Sequence, residues 1–198
     1  MRKTADIRKA EIVATVLSLA DRIGPDRVTT GAVAAAIGLT HAALFRHFPT
    51  KAAMWEAVAR HTVAGMRAAW EAAPPRHGTP VQRLRALIAA QLDQIAATPA
   101  LPMLLFSREL NVENPELRAA FRDALGAYRA LIIREVAAGQ EAGEIRRGIA
   151  AEDAALLLTA LVQGVAIRWA LGARDFALRE EGLRLFDVQL GLLSQETR

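Results

Sequence analysis

An all-α fold follows from three features of the sequence. Alanine, leucine and arginine dominate it, and these are strong helix formers. Apolar residues recur three or four positions apart in one segment after another, the period of a single helix face. No stretch alternates β-branched residues between hairpin turns, so nothing reads as a strand. At 198 residues the chain forms one large domain or two small ones and buries roughly 70% of its unfolded surface, and about nine helices are expected.

The first helix spans about Thr4 to Arg22, with Ile7, Ile12, Leu17 and Ala20 among its apolar positions, and Gly24-Pro25-Asp26 ends it. After Lys51 a long helix runs through Met54, Val58, Met66 and Trp70 until Pro74-Pro75 breaks it. Residues 74–79, PPRHGT, form a loop. Thr79-Pro80-Val81-Gln82 then combines a capping hydroxyl, a proline at the first helical position and a glutamine three residues after the cap. The stripe that follows is Val81, Leu84, Ile88, Leu92 and Ile95.

Pro99 and Pro102 begin a shorter segment with Leu104, Leu105, Phe106 and Leu110. Asn114-Pro115-Glu116 opens another long helix, with Leu117, Phe121, Leu125, Tyr128, Ile132 and Val136 on one face and Gly139 or Gly143 near its end. The segment Glu152 to Leu171 is apolar on nearly every side, so more than one of its faces must be covered. The last helix carries two stripes, Leu183, Phe186, Leu190 and Leu193 on one and Leu185, Val188 and Leu192 on the other. One stripe suits the chain's own core and the other a second chain, which predicts a homodimer through a four-helix bundle of the last two helices.

The stretch Val28 to Lys51 has a different grammar. Two short helical patterns flank Gly38-Leu39. Thr29-Thr30 offers a cap to the first, in which Val33, Ala34 and Ile37 fall at helical spacing. Gly38 tolerates the left-handed backbone that ends many helices. Thr40 caps the second helix, whose Leu44 and Phe48 turn inward and leave His41, Ala42, Phe45, Arg46 and His47 facing outward or sideways. This pattern is a helix-turn-helix, whose second helix enters a DNA major groove. An αα-hairpin with no nucleic-acid role has the same spacing.

Charge favours the first reading. Of 25 Lys and Arg residues, nine lie in residues 1–60 beside five of the 21 Asp and Glu residues, leaving 16 of each sign in the remainder. The whole formal excess of +4 thus accompanies the helix-turn-helix, as contact with phosphates requires. The chain has no cysteine, which excludes disulfides, thiolate metal sites and cysteine nucleophiles. The N-terminus lacks the apolar run of a signal peptide. The uncharged apolar run Ala154 to Ile167 is 14 residues, short of the ~20 that span a bilayer; a soluble, cytoplasmic protein is expected. His41 and His47 stand six apart without a further ligand at metal spacing, and His61 and His77 are isolated. No metal, cofactor or catalytic set is expected.

The N-terminal segment resembles the TetR family of bacterial transcriptional regulators over about residues 10 to 55. The residues that carry the resemblance are Thr29-Thr30, Val33-Ala34, Gly38-Leu39-Thr40, Leu44-Phe45-Arg46-His47-Phe48 and Lys51. It implies a helix-turn-helix DNA-binding domain over 1–55 and a helical effector-binding and dimerisation domain over 56–198. It also implies that Thr29 or Thr30, together with Thr40, contacts phosphate through hydroxyls or backbone N–H groups, that His47 and Lys51 hold phosphates, and that His41, Ala42 and Arg46 approach base edges. Phe45 stands where the family usually has tyrosine, so only its apolar contact remains, and Gly31 brings no side chain to a position that often contacts DNA.

The function so implied is a repressor that binds a near-palindromic operator as a dimer and is released by a small, apolar or aromatic ligand. Met66, Trp70, Met103, Phe106, Phe121, Tyr128 and Trp169 are the candidate pocket residues, with plain core as the alternative at these spacings. Gln163 and Arg168 are polar exceptions in an apolar helix, suited to anchoring a ligand or to a hydrogen bond between subunits. A rival reading keeps the DNA binding and replaces the ligand by a protein partner, because Ala42 to Lys51 also resembles the nucleoid-occlusion branch of the family.

Overall fold

The computed structural model describes residues 4–194, and all regular structure among them is helical. Ten α-helices follow in order: α1 (Ala5–Ile23), α2 (Thr30–Ala36), α3 (His41–His47), α4 (Lys51–Ala72), α5 (Pro80–Ala97), α6 (Leu101–Phe106), α7 (Arg108–Glu113), α8 (Pro115–Glu141), α9 (Ala151–Leu171) and α10 (Leu178–Leu193). A short 3₁₀ turn, Pro25–Arg27, follows α1. The count is one above expectation because the segment after Pro99 is two helices. Ser107 takes an extended conformation between them, and its hydroxyl oxygen accepts from Leu110 N–H to start α7.

The chain forms two compact units. The first comprises residues up to Ala64 together with Thr98–Arg122, and the second comprises Gly65–Ala97 with the chain from Asp123 onward. The division cuts through α4 and α8 and assigns α6 and α7 to the unit that holds α1, α2 and α3. In the first unit α1 buries Ile12, Val13, Val16 and Ala20, and α4 buries Met54, Trp55, Val58 and Ala59.

In the second unit α10 packs on both α5 and α9. The α5 face is Leu84, Leu87, Ile88, Leu92 and Ile95, all buried. Its N-terminus is a reciprocal capping box, Gln82 N–H to Thr79 Oγ1 and Thr79 N–H to Gln82 Oε1 at 3.3 and 3.0 Å. Glu144, from the turn after α8, adds a second cap by accepting from Thr79 Oγ1 and Val81 N–H.

By length and composition α9 is apolar enough to cross a membrane. Here it is a core helix that buries Ala154, Ala155, Leu158, Val162, Val165, Ala166 and Trp169. The remaining side of α9 is exposed, with Leu156, Leu157 and Leu171 at 55%, 50% and 74%. The two stripes of α10 separate in the same way: Leu183, Phe186 and Leu193 are buried, whereas Val188 and Leu192 are 56% and 67% exposed. Within one chain, then, only one face of each helix is covered.

Candidate nucleic-acid interface

Local chemistry fixes α2 and α3 against each other. The Thr29 hydroxyl accepts from Ala32 N–H at 3.1 Å and starts α2. At its other end Gly38, with φ +66, allows Leu39 N–H to reach Ala34 C=O at 2.9 Å and Gly38 N–H to reach Ala35 C=O at 3.2 Å. This paired closure needs a residue that enters the left-handed region without strain. Gly38→Ala is expected to lower stability by about 1–2 kcal/mol, read as a shifted urea midpoint at unchanged slope.

The Thr40 hydroxyl accepts from Ala43 N–H at 3.2 Å and starts α3. Leu44 and Phe48, at 1% and 6% exposure, hold the inner side of that helix. Thr50 caps α4 by accepting from Ala53 N–H at 3.0 Å, which sets Lys51 in the first turn of α4.

The outer face carries the residues singled out from the sequence. Thr29, Thr40, His41, Ala42 and Arg46 are exposed, and Thr30, Phe45, His47 and Lys51 are half-buried. Thr29 and Thr40 use a lone pair for the cap, so each keeps its O–H proton to donate outward. Thr30 and His41 are not independent: Thr30 Oγ1 lies 2.8 Å from His41 Nε2, which ties α2 to α3. The pair still presents a donor in either tautomer, the Thr30 O–H when Nε2 carries the proton and the His41 Nδ1–H when it does not. The imidazole meets the Phe45 ring edge-on, with centroids 4.7 Å apart. Phe45 thereby orients His41, a role absent from its spacing.

In the second unit the candidate pocket residues Met66, Trp70 and Tyr128 come together. The Trp70 and Tyr128 rings lie 5.0 Å apart and tilted, and Trp70 Nε1–H donates to Gln91 Oε1 at 2.8 Å. Gln91 Nε2 in turn points at Met66 Sδ, 3.9 Å away. Full burial pushes the Tyr128 phenol well above its usual range, so it is a neutral donor, directed at Leu87 C=O. Gln91, 5% exposed, is the residue that pattern reading passed over; a glutamine inside the stripe of Leu87, Ile88 and Leu92 was the available signal.

Trp169 is buried and Gln163 half-buried, while Arg168 is exposed beside Phe176, its guanidinium carbon 4.5 Å from that ring's centroid. Arg184 and Arg168 donate to Glu181 and hold its carboxyl down to about 2. The cluster therefore stays charged at neutral pH, and its contribution is lost only as pH falls from the ordinary carboxylate range toward 2. Arg168 also lines an open groove between α9 and α10 with Leu157, Leu161, Gly164, Val165, Leu185 and Gln189. Met103, Phe106 and Phe121 belong to the first unit, where Phe121 is buried and Phe106 is 52% exposed.

A short helix whose outer side offers hydroxyls, imidazoles and a guanidinium, set on a buried Leu44 and Phe48 and followed by a separate helical unit, defines a helix-turn-helix regulator of transcription. Residues 12–58 match the bacterial regulatory proteins of the tetR family, and residues 80–190 match the BetI-type transcriptional repressor C-terminal domain. The second match alone covers more than half of the chain, and the protein belongs to the TetR family.

The nucleoid occlusion factor SlmA of Haemophilus influenzae is 26% identical over 119 residues, which cover 60% of this chain and 55% of that one. The chain thus spans a little over half the length of the curated relatives it matches. Among solved structures, a transcriptional regulator from Saccharomonospora viridis in complex with choline superposes with a TM-score of 0.83 at 22% identity, over 96% of this chain and 100% of that one. The ketosteroid transcriptional regulator KstR2 of Mycobacterium tuberculosis gives 0.76 at 18%, over 96% of each. Both likenesses are of fold. TetR-family regulators bind DNA operators, dimerise and carry effector sites in their C-terminal domains.

Proposed function

We propose that this protein is a cytoplasmic, dimeric repressor. Two copies of the domain over 1–55 sit in successive major grooves of a near-palindromic operator, and a small apolar or aromatic effector releases them by acting on the domain over 56–198. The observation that carries this reading is the outer face of α2 and α3, where Thr29 and Thr40 keep a free hydroxyl proton and Ala42 and Arg46 stand clear of the fold. Thr29, Thr40, His47 and Lys51 position the protein on phosphates, the Thr30–His41 pair supplies one donor, and Ala42 and Arg46 read base edges. The buried cluster of Met66, Trp70, Gln91 and Tyr128 supports the second unit as the effector site, because it combines two adjoining aromatic rings with a polar side chain.

The test is a binding titration against the DNA upstream of the protein's own gene and against a random duplex of equal length. Preference for the upstream DNA is expected, with affinity falling about 10³-fold or more between 50 and 200 mM salt. Absence of both the preference and the salt dependence would sink the reading. Kinship with SlmA, 26–30% identical over about half of each chain, supports a second reading, in which a protein partner replaces the small ligand. Many chromosomal sites and indifference to small molecules would favour it.

A further inference from the structure

The joint between α6 and α7 carries a contact that reaches back across 81 residues to the helix-turn-helix. Ser107 ends α6 and caps α7, its hydroxyl oxygen accepting from Leu110 N–H at 3.0 Å. The same hydroxyl donates to Asp26 Oδ1 at 2.5 Å, the short distance of an O–H bond to a charged acceptor. Asp26 is the middle residue of the 3₁₀ turn, between the buried Pro25 and Val28, and Thr29, the cap of α2, follows directly. Both partners lie in the first compact unit, where α7 also touches the 3₁₀ turn and α6 touches α1.

The joint is stiff. Asn111 Nδ2 donates to Leu104 C=O at 2.9 Å and to Ser107 C=O at 2.7 Å, with Leu105 C=O at 3.4 Å, so one side-chain amide staples the last turn of α6 to the first turn of α7. Leu101, Leu104 and Leu110 anchor the two helices from below. A displacement of α6 therefore arrives at Ser107 instead of being absorbed in the break between the helices. Three residues, Thr98 to Ala100, separate the end of α5 at Ala97 from the start of α6 at Leu101.

We propose that Ser107 and Asp26 form a latch that fixes the entry of α2, and with it the placement of Thr29 and the Thr30–His41 pair on DNA. They are positioning residues, acting through the cap of α2 without touching the nucleic acid. The latch gives α6 a path to the DNA-binding face that is separate from α4. This inference rests on the DNA-binding reading above.

The test compares wild type with Asp26→Asn, Asp26→Ala and Ser107→Ala. The probes are a duplex that the wild-type protein selects from a random pool and the same duplex with one base pair inserted at its centre. Asp26→Asn and Asp26→Ala both remove a negative charge beside the DNA and strengthen binding to any duplex alike, but only the asparagine retains an acceptor for Ser107. The latch predicts that Asp26→Asn keeps the wild-type ratio of affinities for the two duplexes, whereas Asp26→Ala reduces that ratio by about tenfold, the scale of a lost hydrogen bond to a charged group. Ser107→Ala is expected to reduce it equally, and the double variant no further. Equal ratios for Asp26→Ala and Asp26→Asn overturn the latch even if Ser107→Ala, which also loses the α7 cap, fails to fold. A wild-type protein without any duplex preference removes the DNA-binding reading and the latch with it.

Discussion

Replacing Val188 and Leu192 by glutamate is expected to convert the protein to monomers of 21.4 kDa and to weaken operator binding by about 10²- to 10⁴-fold. Both side chains are more than half exposed on α10, one turn apart, on the helix whose Leu185 and Gln189 line the α9–α10 groove, and Leu156 and Leu157 of α9 are exposed as well. Large apolar side chains left open to water on two adjoining helices suit a surface that a second chain covers. Because neither residue contributes to the chain's own core, the charges leave the helical circular-dichroism signal and the monomer's folding intact. What they remove is the association of two apolar faces, and with it the simultaneous grip on two half-sites. Once the two half-sites are no longer linked, the second contact loses the effective concentration that the first gave it. Light scattering that still reports two chains, together with unchanged operator affinity, would place the dimer interface elsewhere.

Much of this architecture is written locally. The caps at Thr29, Thr40 and Thr79 are each a hydroxyl three residues before the N–H it satisfies, so spacing alone exposes them. Gly38 is legible for the same reason, since only a residue free to adopt positive φ closes α2 in this way. The division of α10 into a buried and an exposed stripe follows from helical periodicity.

What escaped the sequence is contact between elements. Periodicity assigns a face to Thr30 and to His41 but does not reveal that they meet. It places Asp26 and Ser107 in different regions of the chain and gives no reason to join them. Glu144 caps α5 from 65 residues away, beyond any local window. The break at Ser107 had a local signal, a serine able to cap, but the surrounding Leu104, Leu105, Phe106 and Leu110 resembled one continuous face. The candidate effector residues divide likewise: Trp70 and Tyr128 meet in the second unit, whereas Met103, Phe106 and Phe121 fall in the first. Apolar spacing identifies a buried face without identifying which unit it helps to bury.

A close approach of α10 to α5 in the second unit yields the other large effect, at Gly182. A Cβ at this position meets Leu92 Cδ1 at 2.6 Å, Cδ2 at 2.8 Å and Cγ at 3.3 Å, so α10 lies on α5 with no room for a methyl group. Leu92 is fully buried and has little freedom to turn aside. The helices are also held in register by Arg85, which donates from Nε and NH2 to the two carboxylate oxygens of Asp187 at 3.1 and 3.2 Å, and by Phe186, fully buried one turn along. Gly182→Val therefore overpacks a fixed contact and is expected to cost about 1–3 kcal/mol, outweighing the ~0.5–1 kcal/mol that replacing a mid-helix glycine ordinarily contributes. Leu92→Ala alone should cost about 2–5 kcal/mol through the cavity it leaves. Combined, the new valine occupies part of that cavity, so the double variant should be more stable than the two losses added together, by about 0.5–3 kcal/mol of coupling. Urea unfolding of the four proteins decides the matter: strict additivity, or a Gly182→Val protein as stable as wild type, means that α10 does not ride on Leu92 at the spacing this glycine permits.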